Sequence, residues 1–219
     1  MQRRRWLLQG VVQGVGFRPY VHALALRWGL TGHVSNDAAG VVIEAQGGAQ
    51  ALHGFLTALL NEPPPRAHVT EVTVTELQPL AESGFVICTS DASGKRQVVP
   101  TPDLATCAAC LAELVDPANR RHLYPFISCN DCGPRFTLQR DIPYDRRHTS
   151  MSAFQPCAVC QAEYDDPANR RAHNQAICCP ACGPRIWLEP PGQPPIHGPD
   201  ALVAARQLLA DGGILAVKG

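Results

Sequence analysis

The chain has 219 residues, 45% of them hydrophobic, with 19 Lys plus Arg balanced by 19 Asp plus Glu. That length suits one or two domains, and a net charge of zero provides no global field favouring nucleic acid or a membrane surface. The opening, with Arg3, Arg4 and Arg5 ahead of Trp6, Leu7 and Leu8, looks only briefly like an export signal. Gln9, Gly10, Gln13, Gly14 and Gly16 interrupt its apolar stretch, and no run approaches the roughly 20 apolar residues of a membrane span. A cytoplasmic, reducing location is expected.

In chain order, residues 3–12 read as a strand that runs into a glycine-rich loop. Residues 18–29 read as a helix with Val21, Leu24, Ala25 and Trp28 on one face. Residues 31–36 and 40–46 read as two strands joined by a turn, and 49–61 as a second amphipathic helix that stops before Pro63, Pro64 and Pro65. Residues 69–77 alternate as a strand does, and 84–88 make a last short strand. The order βαββαβ, with one extra strand, predicts an α+β domain over 1–90 of ferredoxin-like layout: an antiparallel sheet with two helices on one face.

A polar linker is expected from 91 to 94, and a cysteine-rich region from 100 to 187. A proline-rich linker at 189–195 is expected to be extended. Over 198–219, a helix at 199–211 and an apolar strand at 212–218 have no sheet of their own. The chain is therefore expected to stop at the truncated start of a further α/β domain.

Eight of the ten cysteines form four Cys-x-x-Cys pairs: Cys107/Cys110, Cys129/Cys132, Cys157/Cys160 and Cys179/Cys182. Eighteen residues separate the pairs within 107–132, and eighteen separate them within 157–182. Two such pairs can complete a tetrahedral S4 shell, so the spacing predicts two zinc sites per chain. The spacing arises from an internal repeat: 107–136 and 157–186 share 17 of 30 residues without a gap, including Asp-Pro-Ala-Asn-Arg-Arg and Cys-Gly-Pro-Arg. Disulfides and thioredoxin-type redox pairs are rival readings, but a redox motif needs one exposed pair, not four in a repeat.

Pro117 and Pro167, each following an Asp, are expected to start helices with the Asp as N-cap. Gly133 and Gly183 are expected to take positive φ after the second knuckle. Cys178 is set aside as a ligand because its counterpart is Ser128. His173 is a weaker candidate, opposite Leu123, and Cys88 is expected to be a buried core thiol. The cysteine region holds nine Arg, no Lys and nine acidic residues between 103 and 187. That balance disfavours a zinc ribbon built for a phosphate backbone, so no nucleic-acid partner is expected.

Gln13, Gly14, Val15, Gly16 and Phe17 lie between a predicted strand and helix, with Arg18 at the helix start. Glycines let backbone N–H groups converge there, and an arginine fork can grip two phosphate oxygens. A glycine-rich turn with a solvated Arg is the plainer reading. Asn36, at a strand end, could hold a water by accepting one hydrogen and donating another; a turn-forming Asn is its plainer reading.

Val12 through Val21, with Gln-Gly-Val-Gly-Phe-Arg at its centre, resembles the signature of acylphosphatases, and Thr31 through Asn36 followed by Gly40 through Glu44 resembles their second signature. The resemblance implies that the loop and Arg18 bind phosphate and that Asn36 positions the attacking water. The cysteine array that follows is similar to that of HypF, the carbamoyltransferase family of [NiFe]-hydrogenase maturation. Residues 201–219 look like the first helix and strand of that family's YrdC-like nucleotide domain.

This second resemblance implies a carbamoyl-phosphate-hydrolysing site at Arg18 and Asn36. In the full-length protein it implies ATP with Mg2+ and transfer to the C-terminal cysteine of HypE. The fingers are expected to act as a scaffold, so that Cys129→Ser would cost one zinc while the Arg18 site still works. A stand-alone acylphosphatase with a zinc scaffold and a zinc-ribbon nucleic-acid-binding protein are the alternatives.

Overall fold

The computed structural model of the chain describes residues 1–91 and 97–218. Its first half is a five-stranded sheet. Strand β1 (Gln2–Val11) is an interior strand, antiparallel to both β3 (Val41–Gly47) and β4 (His68–Leu77). Strand β2 (Thr31–Asn36) pairs antiparallel with β3, and the short β5 (Phe85–Ile87) adds parallel to β2, giving the order β4-β1-β3-β2-β5. Helices α1 (Phe17–Arg27) and α2 (Ala49–Asn61) follow β1 and β3 and pack against each other. This is the ferredoxin-like fold the periodicity predicts.

Alternation along β1 sends Trp6 and Leu8 into the core, where Phe55 and Leu59 of α2 and Val21 of α1 meet them. Full burial of side chains of this size contributes about 1.5–3 kcal/mol each. Arg3, on the opposite face of β1, is buried against Glu44 and Glu82, so its charge is compensated. The β1–β4 register shifts between Gln9 and Gly10. Past that irregularity the chain leaves the sheet and turns into the glycine-rich loop. Gly14 and Gly16 both have φ 73°, a region that side chains avoid, and Gly16 is the N-cap of α1. The loop thus curls directly into the helix N-terminus.

The second half is built on two similar units. Helix α3 (Ala108–Val115) follows Cys107, and helix α4 (Ala158–Asp165) follows Cys157. The expected helix starts at Pro117 and Pro167 are corrected: both helices end there, with Asp116 and Asp166 as C-caps. Each Asp instead closes a turn, accepting the N–H of Ala118 or Ala168. Pro just past a helix end is the alternative use of an Asp-Pro pair, since Pro cannot continue the helix. Gly133 has φ 94°, as expected, but Gly183 is absent from the positive-φ glycines of the described residues. A side chain at Gly183 would collide with Tyr124 Oη and Cys178, so close approach, not backbone conformation, requires glycine there.

Three further expectations change. Residues 189–195 do not run free; they connect β6 (Trp187–Leu188) and β7 (Ile196–His197), an antiparallel pair, through a turn in which Gln193 N–H meets Pro190 O. Helix α5 (Gly198–Ala210) forms, but 212–218 is not a strand, and Ile214 and Val217 are 96% and 85% exposed. A strand needs a neighbour for its hydrogen bonds, and none of the described strands reaches it. Cys88 is half-buried and not a core residue. The polar linker expected at 91–94 lies, from Ala92 onward, outside the described residues.

Candidate active site and metal knuckles

The eight cysteines assemble into two quartets: Cys107, Cys110, Cys129 and Cys132, and Cys157, Cys160, Cys179 and Cys182. Neighbouring sulfurs are 3.8 Å apart for Cys107–Cys129 and for Cys129–Cys132. In the second quartet the separations are 3.8, 3.6 and 3.7 Å for Cys157–Cys179, Cys179–Cys182 and Cys160–Cys182. A disulfide needs about 2.05 Å, and all ten thiols are free. A tetrahedron with metal–sulfur bonds of about 2.3 Å has edges of about 3.8 Å. Both quartets fit a tetrahedral thiolate-bound metal.

Cys178 stays outside the quartets, as the repeat implied. It is buried, takes a hydrogen bond from Tyr124 Oη and donates to Phe126 O. His173 also stays outside and packs against Tyr164, ring centroids 4.9 Å apart and the planes tilted by 51°.

Each unit guards the sulfurs of the other. Arg120 of the first donates to Cys179 Sγ at 3.0 Å, Cys157 Sγ at 3.4 Å and Cys160 Sγ at 3.5 Å. Arg170 of the second donates to Cys110 Sγ at 2.8 Å and Cys107 Sγ at 3.6 Å. The next arginines lock the exchange. Arg121 pairs with Glu163 and gives its Nε–H to Cys178 O, and Arg171 pairs with Glu113 and gives its Nε–H to Ser128 O. Cationic donors aimed at sulfur suit the excess negative charge of a four-thiolate site.

The glycine loop, Arg18 and Asn36 come together in a cavity of about 20 Å³, room for one or two water centres. Arg18 is only 8% exposed and Asn36 1%. Arg18 donates to Ser90 Oγ at 3.4 Å, and no carboxylate of the described residues lies within ion-pair distance of it. Burial pushes the Arg18 guanidinium below its ordinary pKa, with Asp145 opposing from behind Ser90. Arginine nevertheless holds its proton, so the cavity contains a buried cation that favours an anion. The Nδ2 of Asn36 donates to Tyr144 O at 3.2 Å, while its Oδ1 has no partner among the described residues. Of the predicted loop, Gln13, Gly14, Gly16 and Phe17 line the cavity; Val15 points into the hydrophobic core.

Six of the fourteen residues of the cavity wall come from the finger region, which the sequence reading missed. Asn130 and Arg135 enter from the first unit, Tyr144 from the connection between units, and His173, Asn174 and Gln175 from the second. Tyr144 N–H donates to Gln13 Oε1 at 2.8 Å, and Thr101 Oγ1 donates to Gln13 O at 2.6 Å. Burial raises the Tyr144 phenol pKa against the pull of Arg135 and Arg18. Burial, followed by Arg18, lowers that of His173, which favours a neutral ring beside the guanidinium. A signal was present for part of this wall: His173, Asn174 and Gln175 replace Leu123, Tyr124 and Pro125 where the repeat diverges.

An acylphosphatase family model matches residues 4–87, and the HypF finger model matches 106–139 and 157–189. The carbamoyltransferase HypF of Rhodobacter capsulatus is 49% identical over all of this chain, which covers 29% of that protein. An acylphosphatase of Thermotoga maritima is 41% identical over 36% of this chain and 89% of its own length. The crystal structure of full-length HypF in its phosphate- and nucleotide-bound form superposes over the entire chain with a TM-score of 0.89 at 38% identity, covering 28% of that structure. The chain thus spans less than a third of these HypF relatives. Among the described residues no helix is long and apolar enough to cross a membrane. On the strength of both domain models joined in one chain, and of HypF relatives that match its whole length, the chain belongs to the HypF family and carries its acylphosphatase domain and paired HypF fingers.

Proposed function

We propose that the cavity at the N-terminus of α1 hydrolyses carbamoyl phosphate, and that the chain is the N-terminal part of a carbamoyltransferase. The observation that carries this reading is the pairing in one cavity of a buried guanidinium, Arg18, and a carboxamide oxygen, Asn36 Oδ1, the first with no carboxylate at ion-pair distance and the second with no hydrogen-bond partner among the described residues. The loop amides, the helix N-terminus and Arg18 hold the phosphoryl dianion. Asn36 accepts a hydrogen bond from a water and aims its oxygen at phosphorus. The new P–O bond forms as the bond to the bridging oxygen breaks, and carbamate leaves with the electron pair. No side chain forms a covalent intermediate; positioning and charge neutralisation supply the rate.

The two quartets hold Zn2+, two per chain, through Cys107, Cys110, Cys129 and Cys132 and through Cys157, Cys160, Cys179 and Cys182. A thiolate-bound metal in such a closed site contributes folding energy and rigidity. Within the longer protein, the carbamate goes on to be activated by ATP with Mg2+ in a YrdC-like domain beginning near 198 and transferred to HypE, in the cytoplasm. A nucleic-acid role for the fingers is disfavoured, since Arg120, Arg121, Arg170 and Arg171 are turned inward onto sulfur and Glu.

The test measures orthophosphate released from carbamoyl phosphate and from acetyl phosphate. Arg18→Ala is expected to abolish release from both while circular dichroism and metal content stay unchanged; undiminished turnover would refute the assignment.

A further inference from the structure

We infer that Arg135 is a positioning residue that couples anion binding at the phosphate loop to metal occupancy of the first knuckle. The inference rests on the phosphate-loop reading above. Arg135 is 2% exposed and lies across the junction of the two halves. Its Nε–H donates to Gly14 O, in the middle of the phosphate loop. The rest of the fork is spent on the metal knuckle itself: Nη1 donates to Cys132 O at 2.8 Å and Pro134 O at 3.1 Å, and Nη2 to Cys129 O at 2.8 Å and Asn130 O at 3.0 Å.

One planar group therefore reads the backbone of two predicted metal ligands, Cys129 and Cys132, and of one phosphate-loop glycine. The backbone N–H of Arg135 is anchored in turn on Asp103 Oδ1 at 2.7 Å. Five donors in a fixed fork are a property of arginine that lysine cannot supply.

The repeat contains its own control. Arg185 occupies the equivalent place in the second Cys-Gly-Pro-Arg motif and is exposed. The same motif thus carries a coupling role in one unit and not in the other. A knuckle closed on its metal holds the carbonyls of Cys129 and Cys132 in register for the fork, and the fork holds Gly14. Loss of metal frees those carbonyls and, through Arg135, the loop. Linkage makes this reciprocal: an anion that fixes the loop must also favour the closed knuckle.

The experiment has two measurements. Inorganic phosphate is titrated calorimetrically into the metal-loaded chain and into Arg135→Lys, Arg135→Met and Arg185→Lys, with metal content measured on each. Both Arg135 variants are expected to weaken phosphate at least tenfold, and Arg185→Lys to bind as the parent does. Parent-like affinity in Arg135→Lys would show that charge alone suffices and overturn the positioning role.

The second measurement depends on no variant's folding. Metal release from the unaltered chain to a chelator is followed with and without saturating phosphate. Slower release of one of the two metals is the expected result; equal release with and without phosphate overturns the coupling. A parent chain that binds no phosphate in the titration sinks the phosphate-loop reading itself, which keeps the two failures apart.

Discussion

In the proposed hydrolysis Arg18 and Asn36 do different work because their surroundings differ. Arg18 brings charge to a place that water barely reaches, so its contribution falls on binding. Asn36 brings direction. Tyr144 O takes the Nδ2 donor, which settles which end of the carboxamide remains free to accept. Asn36→Ala should therefore leave phosphate affinity within a few-fold and lower kcat by about 10²–10³, the usual cost of removing one preorganised polar partner. Steady-state kinetics on carbamoyl phosphate beside a phosphate titration would check it; an unchanged kcat would remove Asn36 from the reaction.

At the scale of elements, the fingers are a mutually clamped pair. Each α-helix supplies a glutamate, Glu113 on α3 and Glu163 on α4, that receives the buried arginine of the other unit. Arg121 has a side chain 2% exposed against 19% for Glu163. Glu163→Ala would strand that guanidinium without its carboxylate, and breaking a buried pair from one side costs about 3–5 kcal/mol, here near the lower figure because Glu163 keeps some solvent. The loss should register as a lower midpoint for metal release in guanidinium chloride. A midpoint equal to the parent's would mean that Cys178 O and Cys160 Sγ suffice to hold Arg121. The exchange also explains why Arg-Arg occurs in both repeats: the first arginine faces the partner's sulfurs and the second its glutamate.

For the whole molecule, the cavity belongs to neither half. The sheet domain supplies the loop, Arg18 and Asn36; the finger region supplies Asn130, Arg135, Tyr144 and His173. The expectation that Cys129→Ser would spare the Arg18 site is revised on that ground, because Cys129 O is one of the carbonyls Arg135 holds together with Gly14 O. Cys129→Ser should return one zinc per chain in place of two, and it should also weaken phosphate. Metal analysis together with calorimetry checks both; one zinc with full phosphate affinity would restore the picture of independent halves.

The amino-acid sequence by itself determined what depends on near neighbours along the chain. Cys-x-x-Cys spacing picks out the members of the two cysteine quartets because both thiols of a pair sit on one turn. Alternation and 3.6-residue periodicity place all seven elements of the sheet domain because most of them turn one set of their own residues to the core, although β4 stays largely exposed and β3 is buried on both faces. Local pattern failed where two local meanings compete or where partners are remote. Asp116-Pro117 reads equally well as a helix start or a helix stop, and the helix that begins just after Cys107 makes it the stop. Residues 212–218 have the apolar composition of a strand and no neighbour among the described residues to hydrogen-bond them.

Only the tertiary structure decided that Arg135 and Arg185, identical in motif, lead different lives. It alone brought Tyr144 of the connection between the fingers, 131 residues away from Gln13, onto the glycine-rich loop. Hydrogen bonds across such separations leave no period in the sequence, because their geometry is set by how two independently patterned halves pack.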